Sequence, residues 1–378
     1  MARIRIIADD KIPYLKGALD AVADVEYLPG ASITRSHLQK ADALIVRTRT
    51  RCNEELLEGT PVKFIATATI GYDHIDVDYC RERGIVWTNA PGCNSGSVQQ
   101  YVAAALVFLA RKFSMELKGT TLGIVGVGHV GKKVQQVAEI FGMRLLLNDP
   151  PRERQEGSDS FVSLAEICRQ ADIITFHVPL IKGGPDNTFH LAGESFFAGL
   201  RKGVIIINSS RGEVVETAAL KKALGEAIVK AAVIDVWENE PVIDRQLLSM
   251  VTLGTPHIAG YSRDGKAGGT MMSVQAISRF FNLGLDHWQP PGIEFPPHPE
   301  IFIDPAGKSR EQVLQEAVYA TYKIEEDDRR LREDVSSFER QREQYPVRRE
   351  FYAYRVALKN PAAKYIEPLR ALGFQIIQ

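Results

Sequence analysis

Short apolar runs alternate with segments of helical periodicity along the first two thirds of the chain. The runs are rich in Val, Ile and Leu, and the segments between them carry apolar residues at every third or fourth position. This alternation is typical of parallel sheets joined by crossover helices. It therefore predicts an α/β protein through residue 257. The runs are RIRIIA, ALIVR, FIATA, IVWTN, TLGIVGVG, RLLLND, DIITFH, VIIINSS, AAVIDV and VTLGT.

The series of strands divides at a long apolar helix, which we predict from Ser95 to Phe113. The strand after it starts a new unit with its own glycine-rich turn, so we expect two Rossmann-like parallel-sheet domains. Residues 97–257 form the second of them. The first comprises residues 1–96 and 258–285, because the stretch from Ala276 to Leu285 is a candidate for a helix that returns to it. The pattern alone leaves that return open.

The composition changes after residue 285. Residues 286–305 contain six prolines and are predicted to be a linker, since proline resists both helix and central strand. The remainder, residues 306–378, has the length of a small α+β module. Its residues 323–350 include 17 charged side chains, which predicts a solvated helix face.

A module of this size is marginally stable alone. We therefore expect an apolar side of it to pack on a second copy of the chain, so that the C-terminal module makes a homodimer. The residues expected on that side are Phe351, Tyr354 and Val356.

Composition and charge exclude several classes of protein. Of 378 residues, 45% are hydrophobic and 25% charged, which is ordinary for a folded globular chain and excludes disorder, collagen and coiled coil for the whole. The net charge of -1 lacks the basic excess of a nucleic-acid binder. The four cysteines show no disulfide or zinc spacing. No signal peptide or membrane span is evident, so we expect a cytoplasmic protein without metal, membrane or nucleic-acid partner.

A GxGxxG motif directly follows the strand TLGIV and precedes a helical pattern. Gly126 permits a tight turn, Gly128 lets the backbone approach a pyrophosphate, and Gly131 allows close helix packing. Asp149 ends the next strand, 18 residues past Gly131, where a carboxylate binds ribose hydroxyls. These features predict NAD rather than NADP as the cofactor, with Arg152 the one feature that favours the opposite.

Three polar residues follow later strands, where open α/β sheets place their ligands. Arg211 can hold a substrate carboxylate, with Gly212 leaving room beside it. His257 can remove the proton of a hydroxyl group, and a carboxylate held against it would orient the ring. Both Glu240 and Glu238 lie at a suitable spacing, and the residues alone do not decide between them.

The order of these motifs resembles the D-isomer-specific 2-hydroxyacid dehydrogenases. GxGxxG with Asp149, then NSSRGE, DVWENEP and TPHIAG, extend the likeness from residue 1 to about residue 285. By this resemblance the catalytic residues are Arg211, Glu240 and His257, and Asp235 lies on the nicotinamide side. The resemblance also implies a discontinuous first domain.

Further runs resemble one branch of that family, which acts on a phosphorylated hydroxy acid. They are IVRTRT, TATIGYDHID, NDPPR, HIAGYSRDGKAGGT and RREFYAYRV. The resemblance implies that Thr48, Thr69 and Tyr261 contact substrate and that Gly260 lies against the cofactor. Val178 departs from the threonine that is common there, so that hydrogen bond to NAD is lost. The positions expected to bind NAD are Gly126, Gly128, His129, Val130, Gly131, Asp149, Val178, Asp235 and Gly260.

A phosphate group on the substrate calls for clustered cations. Arg47, Arg49 and Arg51 alternate at the end of a strand, so extended backbone would point all three to one side. We expect Arg47, which is nearest the strand, to bind the phosphate. Arg263 and Lys266 are further candidates.

The chain is thus predicted to be an NAD-dependent dehydrogenase that oxidises a phosphorylated 2-hydroxy acid to the 2-oxo acid. Two other interpretations remain open. One is an enzyme like 3-phosphoglycerate dehydrogenase, which has the same catalytic trio. The other is an NAD-sensing protein of corepressor type, because a fold alone does not imply catalysis.

Overall fold

The computed structural model describes residues 3–360 and 362–377. They form an α/β protein with three parallel sheets, which confirms the predicted fold class. The strands are β1 (Arg5–Asp9), β2 (Asp24–Leu28), β3 (Ala43–Val46), β4 (Phe64–Thr67), β5 (Val86–Thr88), β6 (Thr121–Val125), β7 (Arg144–Asn148), β8 (Ile173–Phe176), β9 (Val204–Asn208), β10 (Val229–Ile234), β11 (Leu253–Gly254), β12 (Glu300–Ile303), β13 (Arg355–Leu358) and β14 (Gln375–Ile377).

The α-helices lie between the strands and, in the last part of the chain, follow one another directly. They are α1 (Glu54–Leu57), α2 (Val77–Glu82), α3 (Ser95–Phe113), α4 (His129–Phe141), α5 (Pro150–Glu156), α6 (Leu164–Gln170), α7 (Glu194–Ala198), α8 (Thr217–Gly225), α9 (Arg245–Met250), α10 (Arg263–Phe281), α11 (Arg310–Thr321), α12 (Ile324–Glu333), α13 (Phe338–Glu343) and α14 (Ala363–Leu372).

The chain divides into two compact units. The first spans Met1–Asn94 and Ser262–Glu294 and holds a five-stranded sheet of order β2-β1-β3-β4-β5. Its helix α10 begins well before the stretch that the apolar pattern indicated. Ser262 caps α10 by accepting the Gly265 amide at 2.8 Å, and the glycine-rich first half of the helix conceals its periodicity in the sequence.

The second unit spans Ser95–Tyr261 and Phe295–Gln378. Its larger sheet has the order β11-β10-β9-β8-β6-β7. Strand β7 lies on one side of β6 and β8 on the other, so the order in which successive strands join the sheet switches sides at β6. In open α/β sheets this is the position where ligands bind.

The C-terminal segment adds a parallel three-stranded sheet of order β12-β13-β14 to the second unit. The prediction of a linker over residues 286–305 is wrong for residues 300–303, which form β12. Strand β12 lies at an edge of its sheet, where proline-rich flanks are tolerated because one row of backbone groups needs no partner.

The expected exposure of the C-terminal module is also wrong. Phe351, Tyr354 and Val356 are 3%, 4% and 0% exposed, within a core that continues into helix α3 and strand β6. Nor is the charged run entirely solvated, because Asp327 and Arg348 in it are buried. Charge density therefore predicted helices here but not which of their charged side chains the fold buries.

Candidate active site

The three predicted catalytic residues lie at one edge of the larger sheet. Strands β9, β10 and β11 are neighbours, and Arg211, Glu240 and His257 follow their carboxyl ends in that order. Gly212 lies directly against the backbone of Trp237, where any side chain would overlap the peptide. This contact holds the turn after Arg211 against the segment that carries Glu240.

His257 and Glu240 form a hydrogen-bonded pair. Nδ1 of His257 lies 2.7 Å from Oε2 of Glu240, and Oε1 of Glu240 accepts the Trp237 amide at 2.8 Å. Burial by itself would raise the pKa of Glu240. The charge of His257, its hydrogen bond and the amide of Trp237 outweigh that effect and hold the pKa below its ordinary value. Glu240 is therefore an ionised partner that fixes the ring and leaves Nε2 free of this contact.

Glu238, the competing carboxylate, points elsewhere. Its Oε1 lies 2.7 Å from Nε2 of His190, and its Oε2 accepts the amide of Thr217 at 2.8 Å at the start of helix α8. The two glutamates are two residues apart, yet only Glu240 reaches His257. The choice that the residues alone left open is thus made by geometry.

The backbone of His257 has a left-handed conformation, with φ of 55°. Its amide donates to the carbonyl of Asp235 at 2.7 Å. The carboxylate of Asp235 accepts the amides of Ile258 at 2.8 Å and Ala259 at 2.9 Å, and the hydroxyl of Thr255 at 2.6 Å. Such strained conformations persist when surrounding contacts determine them.

Asp235 is the residue predicted to lie on the nicotinamide side of the cofactor site. Its side chain is fully buried, and burial raises the pKa of the carboxyl despite the nearby charge of His257 and the donors around it. Both carboxylate oxygens face the chain's own donors. Asp235 therefore holds the turn at residues 257–259, and its predicted place on the nicotinamide side stays a prediction.

Arg211 is half-buried and its backbone is anchored. Nη1 donates to the carbonyl of Ser210 at 2.8 Å, and the amide of the Asn208 side chain donates to the Arg211 carbonyl at 2.9 Å. The guanidinium has further N–H groups beyond the one that Ser210 accepts.

The glycine-rich loop fits a dinucleotide. Gly126 has φ of 89°, and a side chain there would lie 2.7 Å from the carbonyl oxygen of His177. Gly131 lies directly against the carbonyl of Gly126, so a side chain would separate helix from strand. Gly128 has open space around it, and within the described residues no side chain caps the start of α4. Amides at a helix N-terminus without such a cap are suited to a pyrophosphate.

The residues around Asp149 favour NAD. Its carboxylate accepts the amides of Val127 at 2.8 Å and Arg152 at 3.1 Å. Arg152, which could have favoured NADP, donates to both carboxylate oxygens of Glu156 at 2.8 and 2.6 Å and to the Val127 carbonyl at 2.7 Å. Its charge is thus neutralised locally, while Asp149 would repel a 2′-phosphate.

The remaining predicted cofactor residues lie around the same sheet edge. Val178 packs against the Gly126 turn through its Cγ1. His129 is exposed at the first position of helix α4, and Val130 follows it half-buried. Gly260 lies in a turn that the Tyr261 amide closes onto the Ile258 carbonyl at 2.9 Å.

In the first unit, the expectation that extended backbone points Arg47, Arg49 and Arg51 to one side is wrong. Strand β3 ends at Val46, and the amide of Thr50 donates to the Arg47 carbonyl at 3.2 Å, so the segment turns instead of continuing extended. Arg47 makes a two-point ion pair with Asp9, at 3.1 and 3.3 Å, and Asp9 is fully buried. Thr48, Arg49 and Arg51 lie along the turn that follows.

Thr69 belongs to a chain of hydrogen bonds at the end of strand β4. Its hydroxyl lies 2.7 Å from that of Thr67, which lies 3.0 Å from Nε2 of His74. Burial lowers the pKa of His74 to about 4, so this histidine is neutral near pH 7. Sequence reasoning missed Asp9, Thr67 and His74. The run TATIGYDHID carried a signal for two of them, whereas Asp9 follows the apolar run RIRIIA without a motif of its own.

Arg263 and Lys266 occupy the first turns of helix α10, and Nε of Arg263 lies 3.7 Å from Oε1 of Glu294. In the second unit, the Tyr261 ring packs at right angles on Tyr345, with 6.1 Å between ring centroids, and faces Arg342 at 5.5 Å. Both of these neighbours of Tyr261 come from the C-terminal module.

Within residues 3–360 and 362–377, no cluster of three or more His, Cys, Asp or Glu side chains could hold a metal ion. None of the helices in those same residues combines the length and the apolar character that a membrane crossing requires.

Two family models match the chain. The model of the D-isomer specific 2-hydroxyacid dehydrogenase NAD binding domain matches residues 98–259. A model described as a domain of unknown function, DUF3410, matches residues 295–373.

Curated relatives match almost the whole chain. The erythronate-4-phosphate dehydrogenase of Bacteroides thetaiotaomicron is 52% identical over 93% of this chain and 99% of its own length. The protein of that name from Cronobacter sakazakii is 40% identical over 98% of both chains. This chain belongs to the erythronate-4-phosphate dehydrogenase family. It is an NAD-dependent oxidoreductase, which confirms the class and the cofactor inferred from the motifs.

Solved structures extend the likeness to the wider class of dehydrogenases. An NAD-bound 3-phosphoglycerate dehydrogenase of Entamoeba histolytica has a TM-score of 0.64, at 26% identity over 77% of this chain and 99% of its own. The Aquifex aeolicus D-lactate dehydrogenase solved with NAD and lactic acid has a TM-score of 0.62, at 26% identity over 75% and 96%. The much higher identity to the erythronate-4-phosphate dehydrogenases argues against both rival interpretations.

Proposed function

We propose that this chain oxidises 4-phospho-D-erythronate at C2 to 3-hydroxy-2-oxo-4-phosphooxybutanoate with NAD, a step of vitamin B6 (pyridoxal phosphate) biosynthesis. The observation that carries this proposal is the His257–Glu240 pair, joined at 2.7 Å at the sheet edge that also carries Arg211. The relatives named for erythronate-4-phosphate support the choice of substrate.

His257 is the proposed base. Because Nδ1 faces Glu240, Nε2 takes the proton of the C2 hydroxyl as the C2–H bond breaks and a C2 carbonyl forms. Glu240 stabilises the imidazolium that results, since an ionised carboxylate at 2.7 Å favours the charged ring. Arg211 holds the substrate carboxylate and polarises the C2 oxygen.

NAD, when bound, accepts the hydride that leaves C2. Gly126, Gly128 and Gly131 hold its pyrophosphate at the start of helix α4, and Asp149 binds the adenosine ribose. The fit of the glycine loop and the local neutralisation of Arg152 support these assignments. Asp235 is proposed to lie on the nicotinamide side, and its carboxylate also holds the turn at residues 257–259. The residues further proposed to line the same site are His129, Val130, Val178 and Gly260.

We further propose that the first unit binds substrate and that residues 97–257 bind NAD. The first unit was predicted as residues 1–96 and 258–285, but residues 95–96 and 258–261 belong to the second unit. Thr48, Thr69 and Tyr261 are the proposed substrate contacts. Arg47 remains our choice for the phosphate, because its two-point pairing with Asp9 uses Nε and Nη2 and does not engage Nη1. The further candidates are Arg49, Arg51, Arg263 and Lys266.

A homodimer is proposed through the outer face of the C-terminal sheet. Phe302, Ala357 and Ile377 lie in register across strands β12, β13 and β14, and Phe302 is 72% exposed. An apolar row on an exposed sheet face favours burial against a second copy. A cytoplasmic location is also proposed, supported by four free cysteines.

The test of the function is a turnover assay that follows NADH absorbance. The purified protein is given 4-phospho-D-erythronate, 3-phosphoglycerate or unphosphorylated erythronate, each with NAD. We expect kcat/KM for 4-phospho-D-erythronate to exceed that for unphosphorylated erythronate by at least about 100-fold, since a site built for a charged group rejects ligands that lack it. It should also exceed the kcat/KM for 3-phosphoglycerate. Equal or better turnover of 3-phosphoglycerate would refute the proposed substrate.

A further inference from the structure

The C-terminal module, whose family model carries no function, buries the charged side chain of Arg348 in the second unit. Arg348 follows helix α13 and is only 4% exposed. Its guanidinium lies over the ring of Tyr322, 4.6 Å from the centroid, and 5.5 Å from that of Tyr345. Buried arginines are uncommon, because a charge removed from water must be compensated.

The donors of Arg348 point to the turn that carries His257. Nη2 lies 2.9 Å from the carbonyl oxygen of Ile258 and 2.6 Å from that of Ala259. It also lies 2.6 Å from the hydroxyl of Ser97, which itself donates to the Ala259 carbonyl at 2.8 Å. The two carbonyls directly after His257 are therefore bonded to a distant residue, with sequence separations of 90 and 89.

Asp235 bonds the amide groups of the same residues. Its carboxylate accepts the amides of Ile258 at 2.8 Å and Ala259 at 2.9 Å. The N–H groups of residues 258 and 259 are thus bonded to the carboxylate of Asp235, and their C=O groups are bonded to the guanidinium of Arg348. The strained φ of 55° at His257 directly precedes this doubly held segment.

The two charges of this arrangement support one another. Burial acts to lower the pKa of Arg348. The hydroxyls of Tyr345 and Tyr322, and then the carboxylates of Asp327 and Asp235, outweigh burial and raise the pKa above its ordinary value. The guanidinium is therefore charged where it donates to the carbonyl groups of Ile258 and Ala259. Charge-assisted bonds of this kind are stronger and shorter than neutral ones.

We infer that Arg348 is a positioning residue for His257, and that holding the catalytic turn is a function of the C-terminal module. The guanidinium fixes the two peptides after His257, and those peptides fix the direction of the imidazole toward the substrate hydroxyl. This inference rests on the proposed role of His257 as the base.

The first test compares Arg348→Met with Arg348→Lys. Methionine keeps much of the side chain's apolar bulk but removes every donor, so we expect kcat to fall about 10- to 100-fold, the cost of a small misplacement of a catalytic group. The KM values for substrate and NAD should change by less than about threefold, because Arg348 is buried and its Nη2 donates to Ser97 and to the turn after His257. Lysine restores a charged donor but not the fork, and should recover part of kcat.

Val356→Ala is the matched control, since Val356 is fully buried in the same module and lies in strand β13 instead of the turn. It should lower the unfolding temperature and leave kcat within about twofold. An unchanged kcat in Arg348→Met, or an equal fall in kcat in Val356→Ala at a similar unfolding temperature, would overturn the inference.

Should Arg348→Met fail to fold, Ser97→Ala makes the decision, because it removes one anchor of the Ala259 carbonyl with little change in volume. We expect a fall in kcat of about threefold to tenfold, and an unchanged value counts against the inference. His257→Ala distinguishes a failure of the proposed base from a failure of the proposed role of Arg348. If it keeps turnover, the proposed base is wrong; if only the Arg348 and Ser97 variants keep turnover, the inference alone fails.

Discussion

Replacing Glu240 by glutamine tests the proposed catalytic pair with almost no change in shape. Glu240 accepts two N–H groups, one from the Trp237 amide at 2.8 Å and one from His257 at 2.7 Å. A glutamine side chain has one acceptor oxygen and one NH2 group. Whichever way that amide is turned, one of the two contacts becomes a meeting of two donors or requires the other imidazole tautomer.

The size of the effect follows from the charge that is lost. A hydrogen bond to a charged group is worth about 1.5–3 kcal/mol, and each step of about 1.4 kcal/mol is a factor of ten in rate. Because the imidazole becomes charged as it takes the hydroxyl proton, this energy is realised in the transition state. We therefore expect kcat of Glu240→Gln to fall about 10- to 100-fold.

The assay measures kcat and KM by NADH formation, together with NAD affinity by fluorescence titration. NAD affinity should stay within about twofold, because the glycine loop does not depend on Glu240.

Glu238→Gln is the matched control, since Glu238 bonds to His190 and Thr217 instead of His257. Its kcat should remain within about threefold of the unchanged protein. The reasoning is refuted if Glu240→Gln keeps normal turnover, or if Glu238→Gln is the more damaging of the two.

Three further predictions concern other parts of the molecule. Gly128→Ala should leave the unfolding temperature unchanged, because open space surrounds Gly128, but it should weaken NAD binding about tenfold or more by obstructing the pyrophosphate. Gly225→Ala, also in open space, is the control. Normal NAD affinity in Gly128→Ala would contradict the assignment of the glycine-rich loop to the pyrophosphate. Burial lowers the pKa of His177 to about 3, so the unfolded chain binds the extra proton between about pH 6.5 and 3 and stability falls as pH drops through that window. His177→Gln should remove about 2 kcal/mol of the loss seen by denaturant unfolding between about pH 7.5 and about pH 5, and an unchanged pH dependence would exclude this origin. Phe302→Asp should yield a monomer in sedimentation, while a dimer that persists would place the interface elsewhere.

Motifs with a backbone purpose were predictable from the sequence. Gly126 is required by its positive φ and Gly131 by its close contact with the Gly126 carbonyl, so their spacing is recognisable in the sequence. The apolar runs likewise predicted the strands that surround the site. Strand β2 was missed because its charged residues and its place at the sheet edge dilute the apolar pattern.

Side-chain partners at long range were not predictable in the same way. The sequence could not choose between Glu238 and Glu240 without the family resemblance, since both lie in one short segment and only the path of the chain separates them. Arg348 carries no local sign of burial either, because an arginine within a charged stretch is typically exposed to solvent. Its partners come from two distant segments, and only the folded chain brings them together.

The core that joins helix α3 and strand β6 to the C-terminal sheet affects how this chain can be shortened. One continuous apolar cluster includes Tyr101 and Leu106 from the first of these elements and Val318 and Val356 from the last part of the chain. Removing everything after Glu294 would expose that cluster to water and remove the apolar side chains that pack on helix α3 and strand β6. Gene fusions and crystallisation variants of this family should therefore keep both segments on one polypeptide.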